Sequence, residues 1–207
     1  MADYKKPDYW QIKAKNEGYP ARSVYKLKEM DEKFHLTKTG SRGKTTPLKI
    51  LDLGAAPGSW SLYILRKMPK AILVSADLSP LSRQYDRGLF DSGNFSFIQG
   101  DITNIAIRDS ILAQGPYHLI LSDVAPATTG SRFIDTCRSL ELAEAVAAYA
   151  ESAMAKEGNL VVKVFQGGDT TELLKRLKPM FKTAKSFKPE ACRSESFETY
   201  YLGLGKV

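Results

Sequence analysis

The chain has 207 residues, with 30 Lys/Arg against 23 Asp/Glu and a net charge of +7. That length suits a single domain with one sizeable core, and no apolar run reaches the roughly 18–20 residues of a membrane span. The opening "MADYKKPDYW" lacks the apolar core of a signal peptide, so a soluble cytoplasmic protein is expected.

The charge is unevenly spread. Residues 1–49 carry 12 Lys/Arg against 6 Asp/Glu, residues 50–162 carry 9 against 12, and residues 163–207 carry 9 against 5. Basic ends around a mildly acidic middle point to a polyanionic partner, nucleic acid first, against the plainer reading of a solvated basic surface. Cys137 and Cys192 lie far apart and His35 and His118 are the only histidines, so neither a disulfide framework nor a metal site is indicated.

In chain order, "DYWQIKAKNEG" and "ARSVYKLKEMDEKF" read as helices, the second with Val24, Leu27 and Met30 at helical spacing. The link "TKTGSRGKTTP" reads as a loop. Strands are expected at 48–53, 72–76, 95–99, 117–122, 158–165, 183–188 and 198–204, and helices near 58–68, 80–90, 104–113, 135–156 and 169–181. This alternation argues a doubly wound, Rossmann-like α/β fold with helices on both faces of a mostly parallel seven-stranded sheet. The last two strands have no helix between them and should form an antiparallel edge. One domain over 1–207 is expected, with 1–47 a basic helical extension suited to a polyanionic partner and 48–207 the core that carries the sheet.

The stretch "LDLGAAPGSW" puts a glycine turn between the first strand and a helix. It is not a dinucleotide fingerprint, because Ala56 and Ser59 stand where the second and third glycines belong, and no Gly-Lys-Ser/Thr closes it as a P-loop. Pro57 also removes a backbone donor that a pyrophosphate would need. An uncharged or cationic nucleoside fits better, and S-adenosylmethionine is the common one; a plain strand-to-helix turn is the alternative.

Asp77, Asp101 and Asp123 each end an expected strand, where ligands of open α/β sheets bind. Asp77, followed by Leu78, could accept both ribose hydroxyls. Asp101, followed by Ile102, could take an adenine amino group. Each alone could equally be a turn former. Trp60, just past Gly54, Ala55, Pro57 and Gly58, reads as a wall of a methionine pocket or as core.

Lys163 interrupts the apolar run "NLVVKVF", where a charge is costly unless partnered. Beside a sulfonium it would favour its neutral form and could act as general base on an alcohol such as a ribose 2′-hydroxyl; a strand-end lysine reaching solvent is the plainer alternative.

Together "YPARSVYKL", "LDLGAAPGSWS", "SDVAPATTG", "VVKVFQG" and "SESFETYYLG", in this order, resemble the FtsJ/RrmJ (RlmE) family of 2′-O-ribose methyltransferases from about residue 10 to the C-terminus. The resemblance implies a Lys-Asp-Lys-Glu tetrad of Lys26, Asp123, Lys163 and Glu198, with Lys163 the base and Asp123 its orienting partner. Lys26 and Glu198 would position the ribose, and Glu195 is the fallback for the glutamate. It further implies S-adenosylmethionine-dependent methylation of a ribose, a uridine's, in large-subunit ribosomal RNA, either free or within the large subunit, by a monomer. A tRNA anticodon-loop methyltransferase is the alternative within that chemistry. A non-catalytic cofactor-binding assembly factor and a small-molecule methyltransferase are the alternatives outside it. Ser59 departs from the family's usual glycine. The expected phosphate contacts are Lys5, Lys6, Lys13, Lys15, Arg22 and Lys38.

Overall fold

The computed structural model describes residues 8–38, 47–167, 170–193 and 195–207. Lys5, Lys6 and positions 39–46 of the expected loop lie outside them. Two N-terminal helices, α1 (Tyr9–Asn16) and α2 (Val24–Phe34), precede β1 (Lys49–Leu53), α3 (Ser59–Lys67), β2 (Ile72–Asp77) and β3 (Phe95–Gln99). Then come α4 (Ile105–Leu112), β4 (Tyr117–Ser122), α5 (Arg132–Ala153), β5 (Met154–Phe165), α6 (Thr170–Leu177), β6 (Phe181–Phe187) and β7 (Glu198–Lys206).

The described strands form one seven-stranded sheet in the order β3-β2-β1-β4-β5-β7-β6. The pairs from β3 through β5 are parallel, and β7 runs antiparallel to both β5 and β6. The antiparallel pair thus closes one edge, with β7 second from the end. Apolar side chains alternate between faces, as strand geometry requires. Ile50, Leu73, Leu119 and Val161 pack with α1, α2 and α3, whereas Leu51, Val74, Ile120 and Val162 pack with α5 and α6.

The order of strands reverses between β1 and β4, which opens a crevice at their carboxyl ends. The Asp123 amide donates to the Leu53 carbonyl at 3.2 Å, fixing the relative height of the two loops that leave the sheet there.

Residues 80–88 form no helix; only a single 3₁₀ turn, Leu89–Asp91, follows them. Distant partners hold this stretch open. The Ser82 amide donates to the Pro57 carbonyl at 3.0 Å, and Arg66 donates to the Tyr85 carbonyl at 2.9 Å. Arg87 and Gly88 are left-handed, with φ of 49° and 79°. Tertiary anchors override the modest helix preference of the sequence.

The N-terminal helices are built into the sheet's core. An Asp8–Gln11 capping box starts α1, each side chain meeting the other's amide at 2.9 Å. Val24, Leu27 and Met30 of α2 are fully buried, each worth about 1.5–3 kcal/mol. Polar contacts set the helix's position. Buried Asp31 accepts from the Thr37 amide at 2.8 Å, from the Tyr63 hydroxyl at 2.8 Å and from Lys67. Burial works to raise its carboxyl, but the Lys67, Thr37 and Tyr63 donors outweigh that and hold it below the usual range.

Candidate active site

Two clefts flank the carboxyl end of the sheet. The first, about 290 Å³, lies over β1, β2 and β4 and is lined by Gly54, Asp77, Leu78, Asp101, Ile102 and Asp123 among others. Gly54 has φ 76°, and a Cβ there would come within 2.5 Å of the Val124 side chain. The backbone therefore passes so close to the segment leaving β4 that only glycine fits there. Asp77 Oδ2 accepts from the Ala56 amide at 2.9 Å and Oδ1 from the Ser79 amide at 2.8 Å. Each oxygen keeps a second lone pair for a ligand hydroxyl. Asp101 is shaped by Thr103, whose amide and hydroxyl reach Oδ1 at 2.8 and 2.7 Å. Those bonds hold its carboxyl below the usual value, with slight desolvation opposing them.

Four positions expected to touch the cofactor do not line this cleft. Ala55 is buried, and its carbonyl accepts from the Gly58 amide at 2.6 Å. The Pro57 carbonyl is engaged by Ser82. Gly58, at φ 108°, faces Phe90, whose ring would stand 2.8 Å from an added Cβ. Trp60, expected as a wall of the methionine pocket, is only 2 % exposed and instead joins α3 to α2, its indole N–H donating to the Ser23 carbonyl at 2.8 Å. Ala56, Gly100, Val124 and Ala125, near strand ends, and Leu142, on α5, also line the cleft and carried no signal beyond being small or apolar.

The second cleft, about 530 Å³, opens beyond β5 and β7 and is lined by Arg22, Lys26, Phe165, Arg193, Phe197 and Glu198 among others. Between the clefts lie the four residues named by the resemblance. The Lys26 amine meets Glu198 Oε1 at 2.6 Å and the Lys163 amine meets Asp123 Oδ1 at 3.0 Å. Lys163 also donates to the Asp123 carbonyl. Glu195 is exposed at the rim of the same cleft, and Glu198 is the glutamate that pairs with Lys26.

Sheet register assembles this cluster. Lys163 stands opposite Tyr200, and Phe165 opposite Glu198, in the β5–β7 ladder. Residues two apart share a face, so Lys163, Phe165, Glu198 and Tyr200 all project to the side of α2 and α3. Tyr200 was hidden in the apolar run "TYYLGLG". It is fully buried, and its hydroxyl donates to Asp123 Oδ1 at 2.7 Å.

The charges hold one another in place. Burial works to raise the Asp123 carboxyl, but Lys163 and Lys26 together with the Tyr200 and Lys163 hydrogen bonds outweigh it, keeping it below the usual range. Burial would likewise lower the Lys26 amine, yet the Asp123 and Glu198 carboxylates raise it above the ordinary lysine value. Lys26 is therefore a fixed cation. Tyr200 is pushed well above its normal value by burial and then by the Asp123 and Glu198 charges, so its hydroxyl remains a donor. Beside Glu198, burial and that charge push the Cys192 thiol up to about 12.

The basic positions divide. Arg22 lines the second cleft, pairs with Asp8 and donates to the Ala191 carbonyl at 2.6 Å. Lys15 lines a smaller neighbouring cleft with Gln11 and Pro20. Lys13 instead sits over the Trp10 and Tyr25 rings, at 5.3 and 4.9 Å, in a cleft shared with Glu17, Glu29, Glu32 and Glu190. Lys38 lies past the far end of α2 from Lys26. Arg193 and Arg132 stand near the second cleft and were not among the expected contacts.

Among the described residues, no group of three or more His, Cys, Asp or Glu is placed to hold a metal ion. No helix among them is long and apolar enough to cross a membrane.

The family model described as FtsJ-like methyltransferase matches residues 19–206. The ribosomal RNA large subunit methyltransferase E of Treponema denticola is 49 % identical over 202 residues, covering 97 % of this chain and 96 % of that protein. The enzyme of the same name from Borrelia garinii is 44 % identical, with 95 % of each chain covered. Among solved structures, a Plasmodium falciparum protein described as a ribosomal RNA methyltransferase superposes with a TM-score of 0.72 at 27 % identity, over 91 % of this chain and 98 % of that one. An archaeal fibrillarin from Methanococcus jannaschii, at 18 % identity and a TM-score of 0.53, shares the fold over 77 % and 67 % of the two chains. The chain belongs to the FtsJ-like methyltransferase family.

Proposed function

We propose that this methyltransferase uses S-adenosylmethionine to methylate the 2′-oxygen of a ribose, a uridine's, in large-subunit ribosomal RNA. The observation that carries the reading is the meeting of two clefts at one largely buried four-residue cluster. Asp123 lines the first cleft, while Lys26 and Glu198 line the second. A nucleoside bound over Gly54, with its ribose on Asp77 and its adenine near Asp101, would extend toward Asp123 and Lys163. The first cleft's carboxylates and its glycine crossing suit that ligand, and its volume lies near the lower bound of about 300 Å³ usual for small-molecule sites.

When bound, the cofactor supplies a methyl on a sulfonium, open to in-line displacement by an aligned oxygen. The chain's own residues do the rest. Lys26, held cationic, and Glu198 grip the target ribose from the second cleft. The Lys163 amine, in the neutral form that a neighbouring sulfonium would favour, takes the proton of the 2′-hydroxyl, and Asp123 holds that amine in place with the help of Tyr200. Alignment and removal of one proton are what this substitution needs. The relatives named as large-subunit methyltransferases support the ribosomal substrate. The proposed enzyme works in the cytoplasm as a monomer.

Mapping 2′-O-methyl sites in total RNA from cells with and without the gene tests this. Loss of one ribosomal site is expected. A loss confined to tRNA, or none, would overturn the ribosomal reading.

A further inference from the structure

The second cleft is wider than a ribose requires, and its far wall is aromatic. Phe165 and Phe197 meet there edge to face, with ring centroids 4.7 Å apart and planes at 64°. The Arg132 guanidinium lies over the Phe197 ring, 5.4 Å from its centroid. Phe165 is 8 % exposed, while Phe197 keeps part of its surface open to the cleft. The mechanism of methyl transfer uses none of the three.

Their placement relative to the base is fixed by the sheet. Phe165 follows Lys163 by two residues on the same face of β5, one strand repeat of roughly 7 Å away. Phe197 immediately precedes Glu198, and its carbonyl accepts from the Gln166 amide at 2.7 Å, which ties the segment entering β7 to the residue that follows β5. A ribose whose 2′-oxygen reaches Lys163 carries its base on the neighbouring carbon. The base must therefore leave the sugar close to the Lys163 amine, on the side where Phe165 follows on the same strand face and Phe197 lies next to Glu198.

We propose that Phe197, backed by Phe165 and faced by Arg132, is the stacking surface for the base of the nucleotide being methylated. Splayed-out RNA bases stack on aromatic rings and on arginine planes, and here a planar cation already covers a face of the ring. On binding, the base slots against Phe197, and exposed Arg132 shifts to cover the base or its phosphate. Because every base has a π-face, this surface registers that a base has been extruded, whatever its identity. It would seat the 2′-hydroxyl at Lys163 only when the nucleotide is unstacked from its neighbours.

This inference rests on the proposed ribose methylation, and the test separates the two. Phe197→Ala, Phe197→Leu and Phe197→Tyr are compared in single-turnover methylation, with tritiated cofactor and large-subunit ribosomal RNA from cells lacking the gene, naked and in particles. Cofactor affinity is measured alongside by calorimetry. Loss of one base–aromatic stack should slow Phe197→Ala roughly 5- to 150-fold, with cofactor affinity unchanged. Phe197→Tyr should recover to within about threefold of the wild type, and Phe197→Leu, which fills space without a π-face, should stay near the alanine value. A leucine variant as active as the tyrosine one, or an alanine variant as fast as the wild type, would overturn the stacking surface while leaving the methyl transfer standing. A wild-type enzyme that labels no ribose would overturn both.

Discussion

Asp123→Asn probes the buried cluster most cleanly, because it removes one negative charge and almost no volume. In the native protein this carboxylate, with a side chain 17 % exposed, answers the ammonium of Lys163, which is 8 % exposed. It also lowers the cost of burying Lys26 nearby. Removing one partner of a buried ion pair costs about 3–5 kcal/mol, chiefly because the other charge stays behind. Two features soften the loss here. Asparagine keeps an acceptor oxygen for Lys163 and Tyr200, and the residue's own carbonyl still accepts from Lys163. We therefore expect the low end, about 3 kcal/mol, or a fall in Tm of about 6–12 °C for a chain of this size. The sign of the pH dependence follows from the depressed carboxyl. Its stabilising contribution is complete above the usual aspartate value of 3.8 and is lost as pH falls through the lower folded value. The gap between wild type and variant in urea unfolding should thus be constant from pH 7 to about 4 and close only below 3.8. Single-turnover methylation should drop on the order of 10²-fold or more, since the amine loses its orienting partner. A Tm within about 2 °C of wild type together with near-normal turnover would refute the claim that this charge organises the site.

Three further outcomes are expected. Lys163→Arg should bind cofactor and RNA yet lose turnover in a single-turnover assay, because guanidinium does not release its proton; retention of about a tenth of the wild-type rate would make Lys163 an electrostatic clamp instead of a base. Asp77→Ala should weaken S-adenosylmethionine binding by about tenfold or more in calorimetry, by leaving two ribose hydroxyls without their acceptor. Arg22→Ala should weaken RNA binding and reduce the slope of log affinity against log salt by about one, whereas Lys38→Ala, past the other end of α2, should leave the slope nearly unchanged.

Where the sequence was readable, local chemistry and fold pattern agreed. A lysine inside an apolar strand run is costly anywhere, so Lys163 advertised a partner before the partner was visible. Aspartates after consecutive strands pointed to the carboxyl edge, and Asp77, Asp101 and Asp123 all line the cleft there. Lys26 and Glu198 were legible only through the resemblance, because a helix lysine and a strand-edge glutamate look like ordinary surface charges until register brings them to 2.6 Å. Tyr200 was missed for the complementary reason: a buried tyrosine in an apolar strand reads as core, and only its hydroxyl bond to Asp123 reveals otherwise. Residues 80–88 misread as helix because the bonds that hold them open come from Pro57 and Arg66, far away in sequence. The same applies to Ser59. Its hydroxyl joins the Ala21 amide at 2.8 Å, a contact between the glycine loop and the segment leading to Lys26 that no local pattern announces.

The most direct test of the account is the chemical position of the transferred methyl. Purified protein is incubated with labelled S-adenosylmethionine and large-subunit ribosomal RNA from cells lacking the gene, and the RNA is then hydrolysed in alkali. A 2′-O-methyl group blocks cleavage of the adjacent phosphodiester, so the account predicts label in alkali-stable dinucleotides, absent with Lys163→Arg. Label released in mononucleotides, as a methylated base would give, would contradict it.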